Sequence, residues 1–260
     1  MTASTTRLLR HYPGCYGCGT DNRHGLGLSV RWDGSEGVID QVPPTEVEGG
    51  PGIAHGGYLS SLVDELMALV ACEVAAKPAM TKRLELDFHS PTLTGRPLQM
   101  RAWGEEFDGR ALVVRLAATA AGRTKPSFQA RGEFVVVTAG RWIRAAQARG
   151  RGLDRVAWNG GDPSNFLRWQ MQGLPAVFRA ERLRMPVSVA LSIEDARPGE
   201  WTIVAGPDGI AAAEGHAADC KASFRGTFRD WQAVLHGTSP AGEEPLAALI
   251  AAIEFKDIGQ

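Results

Sequence analysis

The spacing of apolar positions changes along the chain, and each change marks a different element. Leu26-Gly27-Leu28-Ser29-Val30-Arg31-Trp32 alternates in the manner of a strand, after a loop-like leader. Asp33-Gly34 supplies a tight turn, and Val38–Val42 reads as the strand that pairs back. From about Gly56 to Ala76 the spacing becomes helical, closing near Lys77-Pro78. Leu59, Leu62, Val63, Leu66, Met67, Leu69, Val70 and Val74 cover most of its circumference, so this helix is expected to be wrapped on most sides. Four strand-like runs follow: Thr81–Phe88, Leu98–Glu106, Ala111–Ala118 and Ser127–Val137, with turns at Asp108-Gly109 and Ala121-Gly122. One long apolar helix with about six antiparallel strands predicts an α+β arrangement in which the sheet curls around the helix.

The pattern breaks between Thr138 and Pro163, where Arg141, Arg144, Arg149, Arg151 and Arg155 are scattered among Ala and Gly. These arginines read as a solvated face or as a site for an anionic partner. We divide the chain into a first domain over residues 1–140, a linker over 141–162 and a smaller α+β domain over 163–260. The second domain opens with a helix from Ser164 to about Arg182, kinked or divided by Pro175. Strands are expected at Val187–Ile193, Glu200–Ala205, Ile210–Glu214 and Asp219–Arg225. Thr227-Phe228-Arg229-Asp230 forms a capping box for a helix over Trp231–Leu235, ended by Gly237. A helix over Pro245–Ala252 and a strand over Ile253–Ile258 complete the pattern. The second half carries no copy of the long helix, so no internal repeat is expected.

Composition narrows the function. The 260 residues are 44% hydrophobic and 22% charged with net charge −1, which argues against nucleic acid or an anionic membrane as the main partner. No apolar run reaches the length of a membrane span, and no secretory leader is evident. Cys15, Cys18, Cys72 and Cys220 do not form a disulfide framework, so a cytoplasmic location is expected.

The chemistry concentrates at Gly49–Met67, where a glycine-rich turn feeds straight into the long helix. A helix N-terminus offers unpaired N–H groups and partial positive charge, which suit a developing oxyanion. Asp64, two turns in, is costly on an apolar helix unless it has a task. Gly57, Ser61, Asp64, Ala68, Ala71 and Ala75 share one face, and all but Asp64 are small. This stripe is expected to line a pocket, although an alanine-faced core helix would carry the same pattern. Glu65 is rotated by about 100° from Asp64. It is expected to lie on the helix surface or to form a salt bridge, with substitution as the base an alternative. His55 reads as a positional residue at the helix entrance, and Cys72 as a small core residue. His11, Cys15, Cys18 and His24 make a tempting zinc set, but their spacing is not that of a standard finger. No metal and no cofactor are expected, and the chain lacks a phosphate-binding glycine loop or a serine nucleophile elbow.

Gly49-x-x-Gly52-Ile53-x-His55-Gly56-Gly57 followed by Asp64 resembles the hotdog-fold acyl-CoA thioesterases of the PaaI-like group. Cys15-Tyr16-Gly17-Cys18-Gly19, Asn22 and Gly25-Leu26 resemble the leader of one bacterial branch, which accounts for the two cysteines without metal. Ser90–Leu98 and Ala130–Phe134 resemble later strands of that fold, so the likeness covers about residues 12–137. It implies thioester hydrolysis on an acyl-CoA or acyl-carrier substrate, with Asp64 as general base or nucleophile. It also implies that the Gly56 N–H, helped by Gly57, polarises the carbonyl. Thr81 falls where some relatives place a water-positioning hydroxyl, whereas Gly49 stands where some carry an amide. From Gly57 to Asp64 the helix rises about 10 Å, too far for both to reach one carbonyl, so a homodimer or homotetramer is expected. Ser61, Ala68 and Glu65 are the expected substrate-binding residues. Gly199-Glu200-Trp201-Thr202-Ile203, Asp208-Gly209, Ala218–Phe224 and Leu235-His236-Gly237 resemble a sterol carrier protein-like domain, truncated at its C-terminal helix. That likeness implies a possible lipid ligand for the second half. The alternatives to hydrolysis are a non-catalytic acyl or lipid binder, or a hotdog pocket turned to another reaction on a carrier-bound or polyketide-like substrate.

Overall fold

The computed structural model of the chain describes residues 6–10, 14–138, 140–141, 162–235 and 237–253. These divide into two compact units, one reaching Val137 and the other containing Asp162 onward. Most of the arginine-rich stretch, His11, His236 and the strand expected after Ile253 lie outside the described residues.

The first unit is a seven-stranded antiparallel sheet around one long helix, α1 (Gly56–Ala75). Its strands are β1 (Arg7–Leu9), β2 (Val30–Trp32), β3 (Glu36–Gln41), β6 (Ala79–Phe88), β7 (Leu98–Phe107), β8 (Ala111–Ala120) and β9 (Phe128–Val136). Their spatial order is β1-β2-β3-β7-β8-β9-β6. Strand β6 follows α1 in sequence yet lies at the sheet's edge, paired to β9 alone among the described strands. Helix α1 packs against β3, β6, β7, β8 and β9. Leu62, Val63, Leu66, Met67 and Val70 are all fully buried, among Ile39, Met100, Val114, Leu116, Phe128 and Phe134. Each such side chain contributes about 1.5–3 kcal/mol, which explains a helix that is apolar nearly all round. Ala76, at φ 50°, ends it in a left-handed cap.

Two local expectations change. The leader is not all loop, because Arg7–Leu9 pairs with Val30–Trp32, and Arg7 is ion-paired to Glu73 of α1. The strand expected over Leu26–Trp32 shortens to β2, because the Leu26 and Leu28 N–H groups donate to the carbonyls of Tyr16 and Gly17 instead. A short hairpin of β4 (Glu48–Gly50) and β5 (Ile53–Ala54), turning at Gly52, delivers the chain to α1.

The second unit has a four-stranded sheet in the order β12-β11-β10-β13. These are β10 (Val187–Ile193), β11 (Glu200–Gly206), β12 (Gly209–Glu214) and β13 (Ala222–Gly226). β10 runs antiparallel to β11 and parallel to β13. Helix α2 spans Ser164–Val177 rather than reaching Arg182, and Pro175 sits in its last turn. Helices α3 (Phe228–Leu235) and α4 (Glu244–Ala252) follow. The expected capping box is present: the Thr227 N–H donates to Asp230 Oδ2 at 2.9 Å and the Asp230 N–H returns to Thr227 Oγ1 at 3.3 Å. Trp231, Phe228, Leu167 and Leu249 lie in this unit's core.

Candidate functional site

The glycine turn sets the entrance of α1. His55 occupies the N-cap with extended backbone, φ −64° and ψ 133°, and its Nδ1 accepts the Gly57 N–H at 2.8 Å. A Cβ on Gly57 would lie 3.1 Å from that nitrogen, and one on Gly49 would lie 3.0 Å from the His55 Cα. Glycine at both positions thus gives the imidazole room to cap the helix, and a larger side chain at position 49 would crowd it. Because the Gly57 N–H is engaged by His55, it does not serve as a second oxyanion donor in this arrangement. The Gly56 N–H has no acceptor among the described residues and stands at the first helical position, where no intrahelical acceptor exists.

A cavity of about 390 Å³ opens beside Gly56. Its wall is mainly apolar, with Ile53, Leu59 and Phe88, and also carries the Ser90 and Thr92 hydroxyls, which are buried and unpaired. None of residues 88–92 was singled out for chemistry by the sequence, although Ser90-Pro91-Thr92 belongs to one of the resembling motifs. Ser61 and Ala68 do not line this cavity. Ser61 donates to the Gly57 carbonyl at 3.0 Å, and Ala71 and Ala75 are buried in the helix packing.

Asp64 lies elsewhere. It is half-buried, and its Oδ1 accepts the Thr81 hydroxyl at 2.8 Å. The helix and the edge strand therefore bring Asp64 and Thr81 together, with Thr81 exposed near the start of β6. Gly56 faces the other end of the same strand, since a Cβ there would lie 3.9 Å from the Phe88 ring. One edge thus carries a hydroxyl-bound carboxylate at one end and an open N–H donor with a cavity at the other.

Glu65 departs most from expectation. It is neither on the helix surface nor beside the cavity, but only 7% exposed. Its carboxylate meets the Cys15 thiol, with Sγ 3.5 and 3.6 Å from the two oxygens. His24 does not join them: it is exposed and accepts from Arg23 Nε at 3.1 Å. The stagger of about 100° between successive helical residues separates Asp64 from Glu65, but which wall each would meet depends on the leader.

Residues 51–127 match the model of the thioesterase superfamily. No curated protein matches the chain. Among solved structures, a thioesterase superfamily protein is 22% identical over 47% of this chain and 60% of its own, with a TM-score of 0.43. The PaaI protein of the E. coli phenylacetic acid degradation operon is 23% identical over 39% of this chain and 76% of its own, with a TM-score of 0.36. An acyl-CoA hydrolase from Staphylococcus aureus, solved with butyryl coenzyme A and coenzyme A, is 19% identical over 39% of this chain and 63% of its own, with a TM-score of 0.38. The chain thus spans less than two thirds of the length of the first and third of these proteins. No helix among the described residues is long and apolar enough to cross a membrane.

Proposed function

We propose that the first unit hydrolyses the thioester of an acyl-CoA or an acyl-carrier protein at a site shared between two copies of the chain. The observation that carries this reading is the Asp64–Thr81 pair on an unpaired sheet edge that also presents the open Gly56 N–H. The match of residues 51–127 to the thioesterase superfamily supports the reaction class.

Geometry supports the sharing. Thr81 and Phe88 are seven residues apart on β6, about 23 Å of strand. A single chain therefore does not offer both ends to one carbonyl. Antiparallel pairing of two β6 edges about an axis between Leu84 and Glu85 sets Thr81 of one copy opposite Phe88 of the partner subunit. The Asp64 of each copy then faces the Gly56 donor and the cavity of the other.

In the reaction, Asp64 takes a proton from a water whose oxygen adds to the thioester carbon. The carbonyl oxygen, now negative, accepts the Gly56 N–H. The carbon–sulfur bond then breaks and the proton passes from Asp64 to the leaving thiolate. Thr81 holds the carboxylate in place. General base catalysis contributes about 10²–10⁴-fold, and one oxyanion donor about 10²–10³-fold. In this reading the chain works in the cytoplasm, and the second unit binds a lipid or acyl ligand without taking part in the chemistry.

The test is a panel of short, aromatic and long acyl-CoAs assayed on the wild type and on Asp64→Ala, with sedimentation of both. Turnover by a dimer or larger assembly, lost in the variant, is expected. Unchanged turnover in Asp64→Ala, or an active chain that stays monomeric, overturns the reading.

A further inference from the structure

We infer that Cys15, Cys18 and Glu65 form a site for a divalent metal ion, zinc by the chemistry of its donors. The two sulfurs and a Glu65 carboxylate oxygen all lie within 4.8 Å of one another. They come from elements 50 positions apart in sequence, the Cys15–Cys18 turn and the middle of α1. All three residues are buried, Cys15 at 9%, Cys18 at 1% and Glu65 at 7% exposure.

The spacing fits a shared ion. Zinc bonds of about 2.3 Å to sulfur and 2.0 Å to oxygen, opened at a tetrahedral angle, place the two ligand atoms about 3.5 Å apart. Cys15 Sγ and Glu65 Oε2 are 3.5 Å apart. A thiol hydrogen-bonded to a carboxylate has a similar separation, but it does not call for a second cysteine. Thiols are weak donors, whereas a divalent cation between two thiolates and a carboxylate offsets most of their combined charge. Thiolate ligands select zinc over magnesium or calcium.

The surroundings hold the donors in place. The Gly19 N–H donates to the Cys15 carbonyl at 3.0 Å, closing the turn, and Leu26 and Leu28 tie its two middle carbonyls to the following chain. A Cβ on Gly17 would lie 2.2 Å from the Glu65 carboxylate, so glycine between the cysteines is what admits the glutamate. The three ligands leave a fourth position that the described residues do not fill. The ion would pin the leader to α1 at the residue next to Asp64. The site stands on these residues alone and does not depend on the thioesterase reading.

The purified, reduced full-length chain is assayed for zinc by atomic emission, and the chelated chain is titrated with cobalt(II) alone. One ion per chain is expected, with the sulfur-to-cobalt charge-transfer band of thiolate ligation. Cys15→Ser and Cys18→Ser each abolish that band. Loss of an outer-sphere partner alone costs about 10–100-fold in metal affinity, so Glu65→Gln, which weakens a direct ligand, lowers it about a hundredfold. Asp64→Asn leaves binding intact. Chelation lowers the melting temperature of the wild type but not that of the double Cys15→Ser/Cys18→Ser variant. If the cysteine variants do not fold, a chelator-reversible charge-transfer band in the wild type decides. Failure of the folded, reduced wild type to bind either ion overturns the inference, as does cobalt binding without a thiolate band, or binding retained in the double variant.

Discussion

Asp64 and Glu65 are adjacent carboxylates on one helix, and the two sides of α1 treat them differently. Asp64 is half-buried against an exposed hydroxyl on the sheet's edge strand, whose outer side no described strand covers. Glu65 is enclosed by the leader and set against buried thiols. The helix supplies both groups at the same height. In the proposed reading, the wall opposite each one, an open strand edge or a folded-back turn, decides whether the group is available for turnover or committed to holding the fold.

If that division is right, the largest effect comes from Asp64→Ala. Turnover of the preferred thioester should fall by about 10²–10⁴-fold, while the melting temperature stays near that of the wild type. A variant that loses stability and activity together would place Asp64 on the structural side. Next comes Gly56→Pro. Proline fits the first helical position and removes the N–H, a Cβ there meets nothing nearer than the Phe88 ring at 3.9 Å, and the extended backbone of His55 is the conformation a following proline requires. Activity should fall by about 10²–10³-fold with the helix intact by circular dichroism.

On the other side, Gly17→Ala forces the Glu65 carboxylate off the Cys15–Cys18 turn. It should lower stability by about 1–3 kcal/mol, read by urea denaturation, and leave the pH profile of turnover unmoved. Thr81→Val removes the hydrogen bond to Asp64 and should lower kcat by about 2–12-fold, since such a bond is worth about 0.5–1.5 kcal/mol. Thr81→Ser should recover most of the loss.

The smallest effect is a background common to both sides. Asp40 is held below its ordinary 3.8 by the Gln99 amide first and then by Arg31. Asp33 is lowered chiefly by the Glu36 and Ser35 N–H groups, and Asp108 by those of Ala111 and Arg110. A lowered carboxylate contributes stability that is present above the unfolded value and is lost as the pH falls through the folded one. The melting temperature should therefore decline only below about pH 4 through these groups, and Asp40→Asn should flatten part of that decline. An acid limb unchanged in Asp40→Asn would remove this group from the account.

Much of this arrangement was legible in the sequence. The apolar positions of α1 fixed its limits to within a residue, because a helix wrapped by a sheet must be apolar nearly all round. The β7 and β8 runs were bounded by their turns, and β10 matched its expected limits. Asp64 stood out because a carboxylate within an apolar helix is unfavourable without a local reason, whereas the role expected of Gly56 came from the resemblance. What was hidden depends on contacts distant in sequence. A three-residue strand such as β1 has no periodicity of its own and exists only through β2. Helical spacing gave the angle between Asp64 and Glu65, but not which wall each would meet. The cavity was missed because residues 88–92, which form much of its wall, follow a strand rather than a glycine signature.

The unpaired β6 edge has a consequence for inheritance of function within an assembly. If two such edges join, a copy lacking its carboxylate and a copy lacking its N–H donor are each inactive in pure form, yet a mixed pair contains one complete site. Equal co-expression of Asp64→Ala and Gly56→Pro chains would then restore about one quarter of normal activity, from random pairing of two-fold partners. Diluting the wild type below the dissociation constant of the pair would silence it without unfolding a single residue.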